Sequence, residues 1–317
     1  MSVMIHKLII PTPFPVGDLN AYVIEGEKLT LVDAGPKTEE AWQSLNEQLG
    51  ELGFRIQDIE QVIVTHHHPD HVGLLDYFPN DIPIIGHEHN NVWLEQDAEF
   101  FKRYREFFAE LFYRYGIPYP AQALLKKLTA PMEYSCRRSL TQTVREGETI
   151  AGLEGWAVLE TPGHAQGHIC LYHEEEEILM GGDLLLAHVS SNPLLEPPQE
   201  PYTERAKSLL QYNHSMKKIS ELAITSVYAG HGEEVEDVKE LVEHRLKRQA
   251  ERAYGVLDML KEKPMTVFEI CQRLFPSVYE TQLGLTISET IGQLDYLEEA
   301  GEIKVDETTP HWLYYAQ

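Results

Sequence analysis

The chain has 317 residues, with 26 Lys and Arg against 51 Asp and Glu, a formal net charge of −25. At 43% hydrophobic and 24% charged it has the composition of a folded protein of about two domains, not of a disordered chain. That acidity argues against a protein that coats DNA or RNA, whose phosphates select Lys and Arg. No run of about 18 apolar residues is present to span a membrane.

In chain order, the β-rich run Met4–Ile10 predicts a first strand. Ala21–Glu25 and Leu29–Asp33 form a hairpin across Gly26–Glu27. Thr38–Leu52 has helical spacing, with Trp42, Leu45 and Leu49 on one face. Gln61–Thr65 is a short β-branched run, and Ile82–Ile85 is another. From 88 to 127, aromatic residues recur at three and four, which predicts a helical insertion broken near Gly116–Pro120. That insertion either packs on the core or walls an apolar substrate pocket. Strands return at Trp156–Glu160, His168–His173, Glu177–Met180 and Ile224–Tyr228, with a helix over Thr203–Leu222. A long charged helix over 241–263 connects to 264–317. There, helices at Thr266–Phe275 and Ile287–Ala300 precede a hairpin of Glu302–Val305 with Trp312–Tyr315. Helix, helix, hairpin suggests a small winged-helix unit. Cys136, Cys170 and Cys271 form no CxxC pair and fit a reducing compartment. The N-terminus lacks a signal peptide's basic start and long apolar stretch. The expectation is a cytoplasmic protein.

The chemistry concentrates in His66-x-His68-x-Asp70-His71, directly after the run Gln61–Thr65. Imidazole and carboxylate are good ligands for zinc and similar metals. Four such residues within six positions at a strand end can turn into one cavity. His164 lies in Thr161-Pro162-Gly163-His164, Asp183 follows Gly181-Gly182, and His231 sits between Gly230 and Gly232. Each follows a predicted strand, so each can reach the same rim, and the glycines let the backbone approach closely. His67 is expected to point away, because neighbouring residues alternate faces.

This pattern resembles the metallo-β-lactamase superfamily over about residues 1–240. His66-x-His68-x-Asp70-His71 is its fingerprint, and Leu31-Val32-Asp33-Ala34-Gly35 matches an early strand-end motif. The resemblance implies an α/β fold, an αββα sandwich of two face-to-face sheets with helices outside. Here it would be extended by the helical insertion at 88–127, the connecting helix at 241–263 and the winged-helix domain at 264–317. It also implies two divalent metal ions, zinc first, with iron or manganese as alternatives. His66, His68 and His164 would hold one; Asp70, His71 and His231 the other; Asp183 would bridge them. Asp33 is expected to fix a ligand imidazole, with His168 a second candidate for that task. Asp70 is also the candidate for orienting the nucleophile. Oxygen-reducing diiron members of the fold carry a carboxylate where His68 stands, which favours a hydrolase.

The expected reaction is attack by metal-bound hydroxide on the carbonyl of a small thioester, ester or lactone. Thr161–His168 and Gly230-His231-Gly232 look like the thioester-cleaving glyoxalase II branch. Tyr212–Met216 and His244-Arg245 look like lactamase-like proteins with an appended winged helix. Some of those cleave single-stranded RNA, which makes an endoribonuclease the alternative. A metal-responsive DNA-binding regulator and an iron-dependent sulfur dioxygenase are weaker ones. Residues 245–317 hold eight Lys and Arg against twelve Asp and Glu. The expected recognition helix carries Glu289, Asp295, Glu298 and Glu299 without a cation, so it is poorly equipped for DNA. A packing or homodimerising role suits that unit better. Arg245, Lys247, Arg248 and Arg252 form a basic cluster, either a solvated helix face or a seat for a phosphate-bearing substrate.

Overall fold

The computed structural model describes residues 3–199 and 203–317. Strand β1 (Met4–Ile10), β2 (Leu19–Glu25), β3 (Leu29–Val32), β4 (Gln61–Ile63), β5 (Ile84–Gly86) and β6 (Gln142–Thr143) form one sheet in that spatial order. Its first three strands are antiparallel neighbours and the rest run parallel. A second sheet has the order β11-β10-β9-β8-β7. These strands are β7 (Thr149–Ile150), β8 (Leu153–Glu160), β9 (Ile169–His173), β10 (Ile178–Gly182) and β11 (Ser226–Ala229).

Strand periodicity makes the layers. Successive side chains on a strand point to opposite faces, and here both faces are covered, so the strands read as continuous apolar runs. Val32, Ile63 and Ile85 meet Trp156, Val158, Ile169 and Leu171 between the sheets. Their neighbours Leu31, Val62 and Ile84 turn outward onto Leu45 and Leu49 of helix α1 (Glu39–Glu51). Cys170, Tyr172 and Leu179 turn outward from the second sheet. They meet Tyr212, Met216 and Ile219 of α6 (Ser208–Ser220), and Val238 and Val242 of α7 (Val238–Glu262). The result is the expected helix-sheet-sheet-helix sandwich.

The insertion carries the short helix α3 (Asn91–Leu94), then α4 (Ala98–Arg114) and α5 (Ala121–Thr129), with the break near Gly116–Pro120 in place. The chain ends in α8 (Val267–Leu274), α9 (Leu283–Glu299) and an antiparallel hairpin, β12 (Ile303–Asp306) with β13 (Leu313–Ala316). Helix, helix, hairpin therefore occurs in the expected order. It does not stand apart, because Phe100, Tyr104 and Phe112 of α4 share one core with Val256, Ile270, Ile291 and Tyr314. The helix judged poorly equipped for DNA is also packed away from solvent. Ile287, Glu289, Ile291, Asp295 and Leu297 are all buried against the body of the protein, and a buried helix cannot enter a groove.

Boundaries differ in detail. The strand expected over Gln61–Thr65 stops at Ile63, and the helix expected from Thr203 starts at Ser208. Strands β6 and β7 are two residues each, too short to carry a period. Among the described residues, no helix is long and apolar enough to cross a membrane.

Candidate metal centre

After β4 the chain bends at Thr65 and passes through His66 to an extended His68, then Pro69 opens the four-residue helix α2 (Pro69–Val72). Proline suits a first helical position because its missing N–H had no intrahelical partner to lose. The turn brings the His71 ring to 4.0 Å from that of His66. Loop 161–168 brings His164, the end of β10 brings Asp183, and the end of β11 brings His231. All seven residues expected to bind metal converge on one rim.

Their atoms fall into overlapping groups: His66, His68 and His164; His66, His71 and Asp183; Asp70, His71 and His231. In each, one donor atom per residue lies within 4.8 Å of the others. His68 Nδ1 is 2.9 Å from His66 Nε2 and 3.0 Å from His164 Nε2. His231 Nε2 is 3.3 Å from Asp70 Oδ2. Asp183 spans the groups, with Oδ1 3.5 Å from His71 Nε2 and Oδ2 3.5 Å from His164 Nε2 and 3.7 Å from His231 Nε2.

The far side of three of the imidazoles is held. Asp33 Oδ2 lies 2.8 Å from His71 Nδ1 and also accepts the Thr65 hydroxyl at 2.8 Å, while Asp33 Oδ1 accepts the Thr65 N–H. The Asp18 carbonyl accepts from His231 Nδ1 at 2.8 Å. The Asn192 carbonyl accepts from His164 Nδ1 at 2.8 Å. A carbonyl only accepts, so each of these contacts places the proton on Nδ1 and turns the Nε2 lone pair inward. His168 plays a different part. Its Nε2 accepts the Asp183 N–H at 3.1 Å, so Nδ1 donates to Thr161 Oγ1 at 2.8 Å. Burial pushes its pKa down to about 3, which keeps it neutral for that bond. His67 points away as expected, stacked on Trp93 with ring centroids 4.2 Å apart.

Electrostatics divide the cluster. Burial first, then neighbouring imidazoles, hold His66 and His68 well below the usual histidine pKa. Burial also works to lower His71, yet Asp33, Asp183 and Asp70 together raise it well above that value. Burial opposes ionisation of Asp183, but His231 and His71 overcome it and hold the carboxyl well below its usual range. Buried lone pairs beside buried carboxylates call for positive charge. His71 Nε2, His231 Nε2 and Asp183 Oδ1 are buried without a hydrogen-bond partner, which is costly unless something binds there. Gly230 makes the room, since a Cβ there would sit 2.4 Å from Asp183 Oδ1 and 3.0 Å from His71 Cε1. These residues fit a divalent-metal site.

Residues 15–231 match the Metallo-beta-lactamase superfamily. The chain belongs to that superfamily. It is 48% identical to the probable metallo-hydrolase YqjP of Bacillus subtilis, over 91% of this chain and 90% of that one. It is 30% identical to the solved metallo-beta-lactamase family protein TTHA1429 of Thermus thermophilus, with a TM-score of 0.83 over 99% and 98% of the two chains. An atrochrysone carboxyl ACP thioesterase of Aspergillus fumigatus is 26% identical over 75% of this chain and 58% of its own length.

Of the two readings of the aromatic insertion, packing on the core is the one seen: Phe100, Tyr104, Phe108 and Phe112 lie in the core shared with the C-terminal helices. Trp93 of the insertion stacks on His67, and Asn90 bonds the Gly167 carbonyl beside His168. Of the basic cluster on α7, Arg252 pairs with Glu289 and Arg245 donates to the carbonyls of Leu186 and Ala187, while Lys247 and Arg248 are exposed. Sequence reasoning also missed the supporting groups Thr65, Asp18, Ser191 and Asn192. Thr65 stood beside the motif and was findable. The carbonyls of Asp18 and Asn192 had no sequence signal, because every residue carries one.

Proposed function

We propose that this metal-dependent hydrolase holds two divalent ions, zinc by preference, and hydrolyses a small thioester, ester or lactone by attack at the carbonyl carbon, breaking the acyl C–S or C–O bond. The observation that carries the reading is the three-histidine group and the Asp70, His71, His231 group meeting across Asp183. Three imidazoles form a donor set that suits zinc. When bound, a pair of such ions supplies Lewis acidity and a water-derived nucleophile at neutral pH.

The chain's own residues supply the rest. Asp33, Asp18 and Asn192 keep the imidazole lone pairs aimed inward. Asp70, at the edge of the cluster beside His231, orients the attacking water and takes up its proton. The thioesterase among the relatives supports the thioester choice. Cleavage of RNA has less support, since Arg245 and Arg252 are committed to partners within the chain.

The test is metal analysis followed by an activity panel of thioesters, lactones, phosphodiesters and RNA. The expected outcome is about two ions per chain and thioester or ester turnover that falls at least about 100-fold in Asp183→Asn. Less than about one ion per chain, with full activity in Asp183→Asn, would overturn the reading.

A further inference from the structure

The stretch between β10 and α6 contains no helix or strand in its described part, yet Ser191, Leu195 and Glu196 within it are buried. A buried irregular segment must satisfy its backbone groups on whatever surrounds it. Here the partners lie on two sides.

One side is the loop of His164. The Asn192 carbonyl accepts from His164 Nδ1 at 2.8 Å, and Ser191 Oγ lies 2.9 Å from the same nitrogen. The Leu194 N–H donates to the His164 carbonyl at 3.4 Å. Two residues on, Glu196 Oε1 accepts the Gln166 N–H at 2.8 Å. The other side is α9. Ser288 Oγ accepts the Leu195 N–H at 3.1 Å. Further along the strap, Arg205 forms a two-pronged pair with Asp295 at 2.7 and 2.6 Å. Arg103 of α4 adds a hydrogen bond to the Gln199 carbonyl at 3.3 Å.

We propose that α9 is a positioning element of the metal centre, acting on His164 through this strap. The proposal rests on the reading of His164 as a ligand. It assigns the C-terminal unit a task inside the catalytic body. The imidazoles of the other group are oriented by anchors that do not involve α9: Asp33 for His71 and the Asp18 carbonyl for His231. Loosening the strap should therefore weaken one ion and spare the other, which a general loss of stability would not do.

The experiment is a zinc titration of the full chain in competition with a chromophoric chelator. It compares the parent with Ser288→Ala and Ser288→Thr, with folding checked by circular dichroism. In Ser288→Ala, one of two ions should bind at least about tenfold more weakly, the scale seen when a ligand's supporting partner is removed. The other should stay within about twofold, and Ser288→Thr should restore the parent titration. Asp295→Asn keeps the side-chain shape, loosens the same strap at Arg205, and reads the same way if Ser288→Ala fails to fold. Unchanged titrations in the folded variants, or equal weakening of both ions, overturn the proposal. A parent chain that takes up no zinc overturns the metal-centre reading and this proposal with it.

Discussion

Asp33 occupies a left-handed backbone conformation, with φ of 59°, which costs most side chains energy and is tolerated best by Asp, Asn and Gly. That cost is offset because the turn lets one carboxylate receive Thr65 N–H, Thr65 Oγ1 and His71 Nδ1 together. Glu196 is the second residue under tension. Burial pushes its pKa up to about 7, above the ordinary glutamate value of 4.5, even though Oε1 accepts the Gln166 N–H. The folded chain therefore keeps a proton that the unfolded chain has already lost between those values. Stability from this group is present below about pH 4.5 and is lost as pH rises through about 7. The span corresponds to about 3 kcal/mol at most. Glu196→Gln keeps the acceptor and removes the charge, so it should be close to parent stability near pH 5 and more stable at pH 8. Denaturant unfolding at the two pH values checks this, and a parent-variant difference that does not grow with pH would refute it.

Among the elements, α9 takes the packing role that suited its acidic sequence better than DNA reading. In the fold, Glu289 pairs with Arg252 of α7, Asp295 pairs with Arg205, and Gln293 bonds Gln249 at 2.8 Å. Gly292 permits the close crossing with α6, where a Cβ would lie 2.8 Å from Leu209 Cβ. A helix buried with charges on it needs each charge matched, and removing one partner of a buried pair typically costs about 3–5 kcal/mol. Asp295→Ala and Arg205→Met should each approach that loss. Together they should cost clearly less than the sum of the two, measured by equilibrium unfolding in a double-mutant cycle. Additive losses would show that the pair does not act as a unit. Other elements were plain in the sequence because their signals are local. Thr38 caps α1, Asp97 caps α4, and Thr266 with Glu269 forms a capping box on α8.

At the scale of the molecule, the insertion and the C-terminal helices form one core that neither could close alone. Trp93, Phe100 and Phe108 lie in the same cluster as Leu257, Phe268 and Leu294. Cutting the chain after residue 263 would uncover aromatic surface of α4, and exposed apolar patches of that kind drive association. The truncated chain should bind a hydrophobic dye and lose a cooperative thermal transition, whereas the full chain should do neither. A monomeric, cooperatively melting 1–263 fragment would mean the sandwich is independent of its C-terminal cover.

The sequence by itself determined the strands and the seven candidate ligands, because both rest on local signals, while the sandwich followed from the family resemblance those ligands carry. Strands betray themselves by β-branched runs, and ligand-type residues cluster at strand ends beside glycine. It also singled out Asp33 and His168, whose hydrogen bonds to the cluster the structure supplies. Tertiary structure alone decided what surrounds the centre. Which carbonyl meets which imidazole, whether an aromatic helix lines a pocket or fills a core, and whether an acidic helix faces water or Arg205 all depend on contacts between residues far apart in the chain. Such contacts leave no period or motif in sequence. Tertiary structure also turned the −25 charge from a bulk property into a placed one, with Glu289 and Asp295 neutralised inside and Asp33, Asp70 and Asp183 gathered where positive charge is wanted.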